Sequence, residues 1–474
     1  MDMKTYQDLK TLRNRAVSEA TIIEFVRSVI NDYESTEDYR NARVAYEYYK
    51  HKNVTINEYK KLLYRVTGEA VLDTYSPNYK LASRFFYRFV TQENQYLLGN
   101  GARFGDESTS LKLGKDFDNR LQELGKHSLI AGVSYGFFNL DHIDMFDALE
   151  FAPLFDENTG ALRAGVRFWQ IDGTKPLRAT LYEEDGYTDY IWRKRDGEKK
   201  DYLGQVLNEK RPYIVSVQIS EADGIEIVDG TNYPSFPIIP LYANDNKQSE
   251  LVGLRAQIDA YDLIKSGFCN TVDEASLIYW IVNNAGGMDE VDLAKFLNQI
   301  RTVHAAVVED DGATAEAHTM DIPYASREAL LDRLRSDLYE DAMVFDTKNI
   351  ANGNITATQI KASYNPLDQK TDLFEYQVLD FIYRLFKVAG IEDEVSFTRN
   401  VITNVNESVQ VILQSAQYLS SDYITQKILT LLGDGDKAQE EIDKLNKYNF
   451  DRFTNDEPKV TEEEPEEQPV EPEE

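Results

Sequence analysis

Several features that define common protein classes are scarce or missing in this chain of 474 residues. Its single cysteine, Cys269, excludes an internal disulfide, and its apolar helical surroundings predict a packed core thiol. No stretch approaches the 18 apolar residues that a membrane span needs, and no basic-then-apolar signal segment opens the chain. The sequence therefore predicts a protein with no disulfide framework and no membrane partner.

Motifs for cofactors and metals are also missing. The five histidines are scattered, and none forms a pair with metal-ligand spacing. No P-loop occurs, and Phe104 stands where a dinucleotide fingerprint following Gly99 would require glycine. The acidic segment LGDGDKAQEEIDKL lacks the ligand spacing of a calcium loop, and it is interpreted as a loop followed by a helix. We expect no cofactor and no metal.

One catalytic pattern is present, Gly132-Val133-Ser134-Tyr135-Gly136. A nucleophile elbow places the serine between a preceding strand and a following helix. Here an amphipathic pattern precedes the glycine and a strand-like pattern follows it, so the order is reversed. A serine hydrolase using Ser134 remains as an alternative, but the pattern favours a helix-to-strand turn that needs small residues.

The charge is strongly acidic, with 82 acidic against 51 basic residues and a net charge of -31. Residues 456–474 contribute ten acids and one lysine, which predicts a disordered acidic tail. A protein of this charge cannot hold nucleic acid by releasing counterions over its whole surface. If it meets DNA, we expect the contact to be loose or repulsive.

The first half of the chain changes from helical to strand-like patterning. Residues 1–70 are polar and rich in tyrosine, which favours helices, and apolar residues at helical spacing predict helices over 78–98 and 116–130. Residues 133–240 alternate apolar and polar residues between turn signals, and they are predicted to form antiparallel strands.

Helical patterns return in the second half. We predict helices over 247–275 and 324–345, with a mixed segment of strand-like and helix-like sequence between them. A polar, glycine-containing loop leads to the longest predicted helix, residues 356–390, which Pro366 is expected to kink. Further helices follow residue 404, so the fold class is α+β.

Three stretches resemble one protein family in their order and spacing. They are ARVAYEYYKHKNVTI continued by YSPNYKLASRFFYRFVTQENQYLLGN, then FPIIPLYANDNKQSELVGLRAQIDAYDLIKSGFCNTVDE, then NGNITATQIKASYNPLDQKTDLFE. Together they resemble the portal proteins of tailed bacteriophages, the head-to-tail connectors of long-tailed phages, over about residues 40–445. The chain departs from that pattern at Gln95, where asparagine is common, and at Ile355 and Thr356, where Ser-Gly is common.

The resemblance implies a portal fold and a ring oligomer of twelve subunits. In this sequence it implies a wing at residues 1–246, a first stem helix at 247–275, a clip at 276–323 and a second stem helix at 324–345. A channel loop at 346–355, a long kinked helix at 356–390 and a crown at 391–455 would follow.

The channel loop is the candidate site that the resemblance assigns. Its members that face DNA would be Lys348, Asn349, Ile350, Asn352, Gly353 and Asn354. Apart from Lys348 these residues are uncharged, and Gly353 gives the backbone conformational freedom. The alternative is an ordinary connector between two helices.

The resemblance also implies partners and a location. The partners would be further copies of the chain, double-stranded DNA passing without sequence-specific binding, the terminase large subunit, head-completion connector proteins, and the major capsid and scaffolding proteins. The location would be the portal vertex of the virion, after assembly in the bacterial cytoplasm. The chain would not be an enzyme. Two rival classes stay open, another virion structural protein, such as a shell or baseplate component, and a host scaffold protein.

Overall fold

The computed structural model describes residues 3–64, 68–74, 76–194, 201–220, 224–275, 279–283, 291, 294–295, 314–318, 324–349, 357–400 and 405–455. The chain divides into two compact units. The first comprises Met1–Ala351 with Ser363–Asn400, and the second comprises Asn352–Ala362 with Val401–Glu474.

Four helices open the first unit, α1 (Tyr6–Asn14), α2 (Glu19–Glu34), α3 (Glu37–Tyr49) and α4 (Val54–Glu58). Thr5 and Thr36 accept hydrogen bonds from the first-turn amides of α1 and α3, which satisfies donors that the helices themselves cannot use. The predicted helices of this region are therefore confirmed, but the hairpin β1 (Leu62–Tyr64) and β2 (Ala70–Leu72) follows them where helix was expected.

The next elements are α5 (Phe85–Leu98), β3 (Ala102–Phe104), α6 (Glu107–Leu113) and α7 (Phe117–Ala131). The helix predicted over 116–130 is confirmed by α7. The helix predicted over 78–98 was placed too early, since residues 78–84 precede α5 without helical structure. There the amides of Tyr79 and Leu81 donate to side chains of a distant helix, and those partners replace the hydrogen bonds that a helix would supply.

The predicted antiparallel strands are confirmed by a five-stranded sheet in the order β10-β9-β8-β7-β6. Its strands are β6 (Phe151–Phe155), β7 (Leu162–Trp169), β8 (Leu177–Glu183), β9 (Gly186–Lys194) and β10 (Asp201–Arg211). Helix α2 packs on this sheet and buries a row of apolar residues at helical spacing, Ile22, Phe25, Val26, Val29, Ile30 and Tyr33.

A second sheet has the order β13-β4-β5, with β4 (Val133–Asn139), β5 (His142–Asp147) and β13 (Ile238–Tyr242). Pro240 lies in the edge strand β13, which is where a residue without an amide donor is tolerated. Between the sheets lies a core of aromatic side chains, which includes Phe137, Phe146 and Tyr213. The hairpin β11 (Ile214–Ser220) and β12 (Gly224–Thr231) completes this part of the chain.

Two helices follow, α8 (Arg255–Ala275) and α9 (Tyr324–Asp341). Both are shorter than predicted. Residues 247–254 are not helical, because Ser249 donates to the Ile130 carbonyl and residues 250–254 form a turn in which Gly253 has a φ of 91°. At the other boundary, α9 ends before 345 because Met343 has a φ of 54° and Val344 bonds back to the Tyr339 carbonyl. The strands β14 (Tyr279–Asn283) and β15 (Thr314–His318) pair with each other between these helices.

The longest helix, α10 (Ala357–Ala389), agrees with the predicted range, and Pro366 lies inside it. The bend expected at Pro366 stays a prediction. The predicted apolar stripe is buried at each of its positions, Phe374, Val378, Phe381, Leu385 and Val388. Strand β16 (Val395–Phe397) then pairs with β3 and closes the first unit.

The described part of the second unit is helical after residue 404, as predicted. It contains α11 (Val405–Gln414), α12 (Ser421–Leu432) and α13 (Ala438–Asn455). Ser420 caps α12 through the amide of Tyr423, and Gly433 ends that helix in the left-handed region. In this unit Ile424 of α12 and Ala438 and Ile442 of α13 are buried.

Candidate functional site

Helix α8 carries a polar stripe that holds an earlier part of the chain. The stripe consists of Asp259, Asp262, Ser266, Asn270 and Glu274, which recur every three or four residues and so lie on one side of the helix. Sequence analysis recognised only the apolar side of α8. The spacing of these polar residues was the signal that could have revealed the second side.

The partners of this stripe come from residues 48–81. Asp259 accepts hydrogen bonds from Tyr48 and, at 2.7 Å, from the Thr55 hydroxyl. Asp262 is fully buried and accepts from the Asn53 amide group. Burial raises the pKa of Asp262, and the hydrogen bonds from Asn53 and Ser83 oppose that rise.

The far end of the stripe fixes the backbone before α5. The Leu81 amide donates to the Ser266 hydroxyl at 3.0 Å, and the Tyr79 amide donates to the Asn270 side chain at 2.7 Å. Lys61 forms an ion pair with Glu274 at 2.5 Å. The stripe therefore holds the end of α3, helix α4 and the segment before α5 against α8.

Helix α9 packs on the other side of α8. The rings of Phe268 and Tyr324 have centroids 5.5 Å apart, and Arg327 donates to the Thr271 hydroxyl at 2.9 Å. At the opposite end of the pair, Phe85 of α5 contacts both Tyr261 of α8 and Tyr339 of α9 edge to face. Aromatic contacts of this geometry add to the apolar area that the two helices bury.

A bidentate ion pair fixes the corner after α9. Both guanidinium nitrogens of Arg335 lie 2.7 Å from the carboxylate oxygens of Asp346, which also accepts from the Lys348 amide at 3.0 Å. Burial alone would raise the pKa of Asp346, but the Arg335 and Lys348 hydrogen bonds outweigh it and leave that pKa below its ordinary value. The carboxylate therefore stays ionised and holds the corner at neutral pH.

Phe345 attaches the same corner to α10 and α5. Its ring is stacked on Tyr364 of α10, with centroids 4.3 Å apart and an interplanar angle of 4°. Its carbonyl accepts from the Gln92 side chain at 3.2 Å. Contacts with α5, α9 and α10 therefore fix the position of the chain just before the predicted channel loop.

Beneath the corner lies a buried ion cluster. The Lys370 ammonium is 2.8 Å from Glu93 and 2.7 Å from Glu250, and it donates to the Ala342 carbonyl at 3.2 Å. Burial raises the pKa of Glu93 to about 7, although Lys370 acts against the rise. The two carboxylates raise the pKa of Lys370 more than burial lowers it, so the ammonium stays charged.

The structure describes two of the six predicted channel-loop residues. Lys348 and Asn349 lie in a short 3₁₀ helix, Thr347–Asn349, and the Lys348 ammonium is 3.1 Å from Asp332 of α9. The side chains of that pair are 62% and 63% exposed, so the pair contributes little to stability. Ile350, Asn352, Gly353 and Asn354 lie outside the described residues.

Ser134 is unsuited to nucleophilic catalysis. Its side chain is fully buried in β4, and its hydroxyl donates to the Leu124 carbonyl at 2.8 Å. The two glycines of the pattern serve packing, because Gly132 ends α7 with a φ of 92°, and a Cβ at Gly136 would lie 2.7 Å from the Phe381 ring. The interpretation as a helix-to-strand turn is confirmed.

Cys269 is half-buried on α8, so the prediction of a thiol packed in the core was wrong in that the side chain is only partly enclosed. At 100° per residue, Cys269 lies between the polar stripe of α8 and the side that contacts α9 through Phe268, so neither set of partners covers it fully. Among the described residues, no group of histidine, cysteine and carboxylate side chains is arranged to bind a metal. Within the same part of the chain, no helix has the length and hydropathy to cross a membrane.

Comparison with solved structures finds particles called gene transfer agents. The chain is similar to a chain in "Neck of empty GTA particle computed with C6 symmetry", with a TM-score of 0.44 and 10% identity, covering 74% of this chain and 90% of that one. It is also similar to a chain in "Neck of native GTA particle computed with C12 symmetry", with a TM-score of 0.40 and 11% identity over 73% and 89%.

Two curated relatives carry the name portal protein. The protein of Bacillus phage SPP1 is 25% identical over 397 residues, which are 77% of this chain and 76% of the relative. That of Clostridium phage phiCD119 is 26% identical over 234 residues, 47% of this chain, and the match spans about half the length of that relative, 51%. The family model described as "Phage portal protein, SPP1 Gp6-like" matches residues 30–449. The chain therefore belongs to the SPP1 Gp6-like family of phage portal proteins, which are structural components of the virion and not enzymes.

Proposed function

We propose that twelve copies of this chain form a ring at one vertex of the capsid, and that double-stranded DNA enters and leaves through its centre. The observation that carries this proposal is the family match over residues 30–449, which includes nearly all of the described elements. The same ring would be the docking platform for the terminase large subunit and later for the head-completion connector proteins. It would form in the bacterial cytoplasm together with the major capsid and scaffolding proteins.

The domain assignment is part of the proposal. Helices α8 and α9 would be the two stem helices, the segment between them the clip, and α10 the long helix that returns into the wing. Everything before residue 247 would belong to the wing, and α11–α13 to the crown. The tight corner at Asp346 and Phe345 supports this assignment, because a loop that meets moving DNA needs a fixed base.

The charge of the chain suits a channel. A wall that bound phosphates tightly would stop DNA from sliding, whereas a ring of chains with a net charge of -31 each repels the duplex. Loop residues 350–354 with Lys348 and Asn349 would then make the transient contacts. Lys348 is the only base among the six predicted loop residues, and it is already near Asp332.

A packaging assay tests the proposal. We expect capsids assembled with this chain to protect packaged DNA from nuclease, and capsids assembled without it to protect none. Deletion of 350–354 should leave the number of subunits in the ring unchanged but shorten or slow packaging. The control is Lys175→Ala in an exposed turn of the sheet, which should package normally. Full-length packaging at the normal rate by the deletion variant would remove the role of the loop, and DNA protection without the chain would contradict the function itself.

A further inference from the structure

One region of this acidic chain is basic. Residues 40–90 contain ten lysine and arginine residues but four acidic ones, a net charge of +6. Six of these bases are exposed around the end of α3 and the start of α5, and in the described part of the chain none of the six forms an ion pair. They are Lys50, Lys52, Lys60, Lys80, Arg84 and Arg88, and we call the three next to the segments that the polar stripe of α8 holds, Lys52, Lys60 and Lys80, the basic face.

Contacts between their neighbours place these bases on one surface. Tyr49 at the end of α3 packs against Tyr87 of α5 at 5.1 Å, and Arg84 stacks on that same Tyr87 ring at 4.7 Å. His51, between Lys50 and Lys52 in sequence, hydrogen bonds with the Ala82 carbonyl at 2.9 Å. The Lys80 ammonium donates to the Asn57 carbonyl, which brings it next to the segment that carries Lys60.

Helix α9 carries the opposite charge. Its solvent side presents Glu328, Asp332 and Glu340, while Ala329 and Ser336 between them are small enough for a neighbouring surface to approach closely. Two bases lie near this side: Arg333 is paired with Asp337 at 2.8 Å, and Lys348 is paired with Asp332 at 3.1 Å. We call Glu328, Asp332 and Glu340 the acidic face.

The two faces lie on opposite flanks of α8. At 100° per residue, the polar stripe from Asp259 to Glu274, which holds the segment beside the basic face, points to one side of the helix. Phe268 and Thr271, which contact α9, point to the other side. The basic face therefore lies on one flank of α8 and the acidic face on the other, whereas Arg84 and Arg88 lie at the start of α5, which itself contacts α9 through Phe85.

We propose that the basic face of one copy binds the acidic face of α9 on the next copy, and that this contact closes the ring. The inference rests on the proposed ring. A ring built by rotation joins two different patches of the same chain, and complementary charge on opposite flanks fulfils that condition. Because like charges repel, two copies cannot join through the same face, so each contact runs from the basic face of one copy to the acidic face of the next. DNA is the less suitable occupant, because the rest of the chain repels it.

Charge reversal tests the contact on the full-length protein by native mass spectrometry. We expect Lys52→Glu with Lys60→Glu and Lys80→Glu to abolish the ring. Reversal of the acidic face, Glu328→Lys with Asp332→Lys and Glu340→Lys, should have the same effect. The matched control reverses three exposed bases elsewhere, Lys10→Glu, Lys175→Glu and Arg178→Glu, and should retain the ring. Circular dichroism establishes that each variant is folded.

Mixing the two reversed variants makes the test specific. Each variant then has two faces of equal charge, so neither closes a ring with itself, but each complements the other. The mixture should yield rings of even copy number in which the two variants alternate. Rings of both separate variants, or no ring from the mixture of two folded variants, would overturn the inference. A wild-type chain that forms no ring would instead contradict the proposed function.

Discussion

At the scale of single residues, the buried cluster of Lys370, Glu93 and Glu250 connects four parts of the chain. The Lys370 ammonium of α10 contacts Glu93 of α5, Glu250 in the turn before α8, and the Ala342 carbonyl just after α9. Burial raises the pKa of Glu93 to about 7, and the neighbouring Glu250 carboxylate adds to the rise, while Lys370 acts against it. Through the Ala342 carbonyl, this cluster holds the segment that leads from α9 to the predicted channel loop.

The raised pKa of Glu93 predicts how stability depends on pH. The folded protein holds this proton more firmly than the unfolded chain, whose value is 4.5. The stabilisation is therefore complete below about pH 4.5 and is lost as the pH rises through about 7. Between about pH 5 and pH 8 the wild type should lose about 1–3 kcal/mol from this group, while Glu93→Gln, which cannot ionise, should not.

The measurement is the midpoint of thermal unfolding at the two pH values for the wild type and for Glu93→Gln. Glu209→Gln, at an exposed position of β10, is the control and should follow the wild type. Equal pH dependence in the wild type and in Glu93→Gln would show that Glu93 is ionised throughout this range, contrary to its burial.

At the scale of helices and strands, the sequence predicted the kind of each long element and misplaced several ends. The period of apolar residues identified α7, α10 and the strands of the large sheet because each element buries one continuous face. The early start assigned to α5 has a different cause. The amides of Tyr79 and Leu81 donate to side chains of α8, about 190 residues away in sequence, and no local pattern records such partners.

The turn from α7 to β4 gives a testable case at this scale. Gly132 has a φ of 92°, and a Cβ there would lie 2.7 Å from the Lys247 carbonyl oxygen and 3.0 Å from the Ser249 amide nitrogen. Gly132→Ala should therefore reduce the free energy of unfolding by about 1–3 kcal/mol, because left-handed strain and backbone overlap act together. Chemical denaturation measures the change.

Gly173→Ala is the matched control, since no atom lies within 4 Å of its Cβ position and its φ is not positive. It should alter stability by less than about 0.5 kcal/mol. Equal stability of the two variants would mean that the turn relaxes without cost, and the structural explanation of the GxSxG pattern would then lose its basis.

At the scale of the whole molecule, total charge concealed an uneven distribution. The net charge of -31 led to the expectation that the chain repels DNA, yet residues 40–90 are positive. The channel-loop site came from family resemblance and not from any chemical pattern. The contacts that hold the chain before this loop, Arg335 with Asp346 and Lys370 with Glu93, could not have been predicted, because the partners meet only after folding.

The central claim is that this chain closes into a ring with a central channel. Electron microscopy of the purified protein, combined with its native mass, tests the claim most directly. We predict particles with a central hole and a mass of about 650 kDa, twelve times the 54.4-kDa chain, with dissociation as salt approaches about 1 M. A compact monomer or dimer at assembly concentrations and low salt would contradict the account.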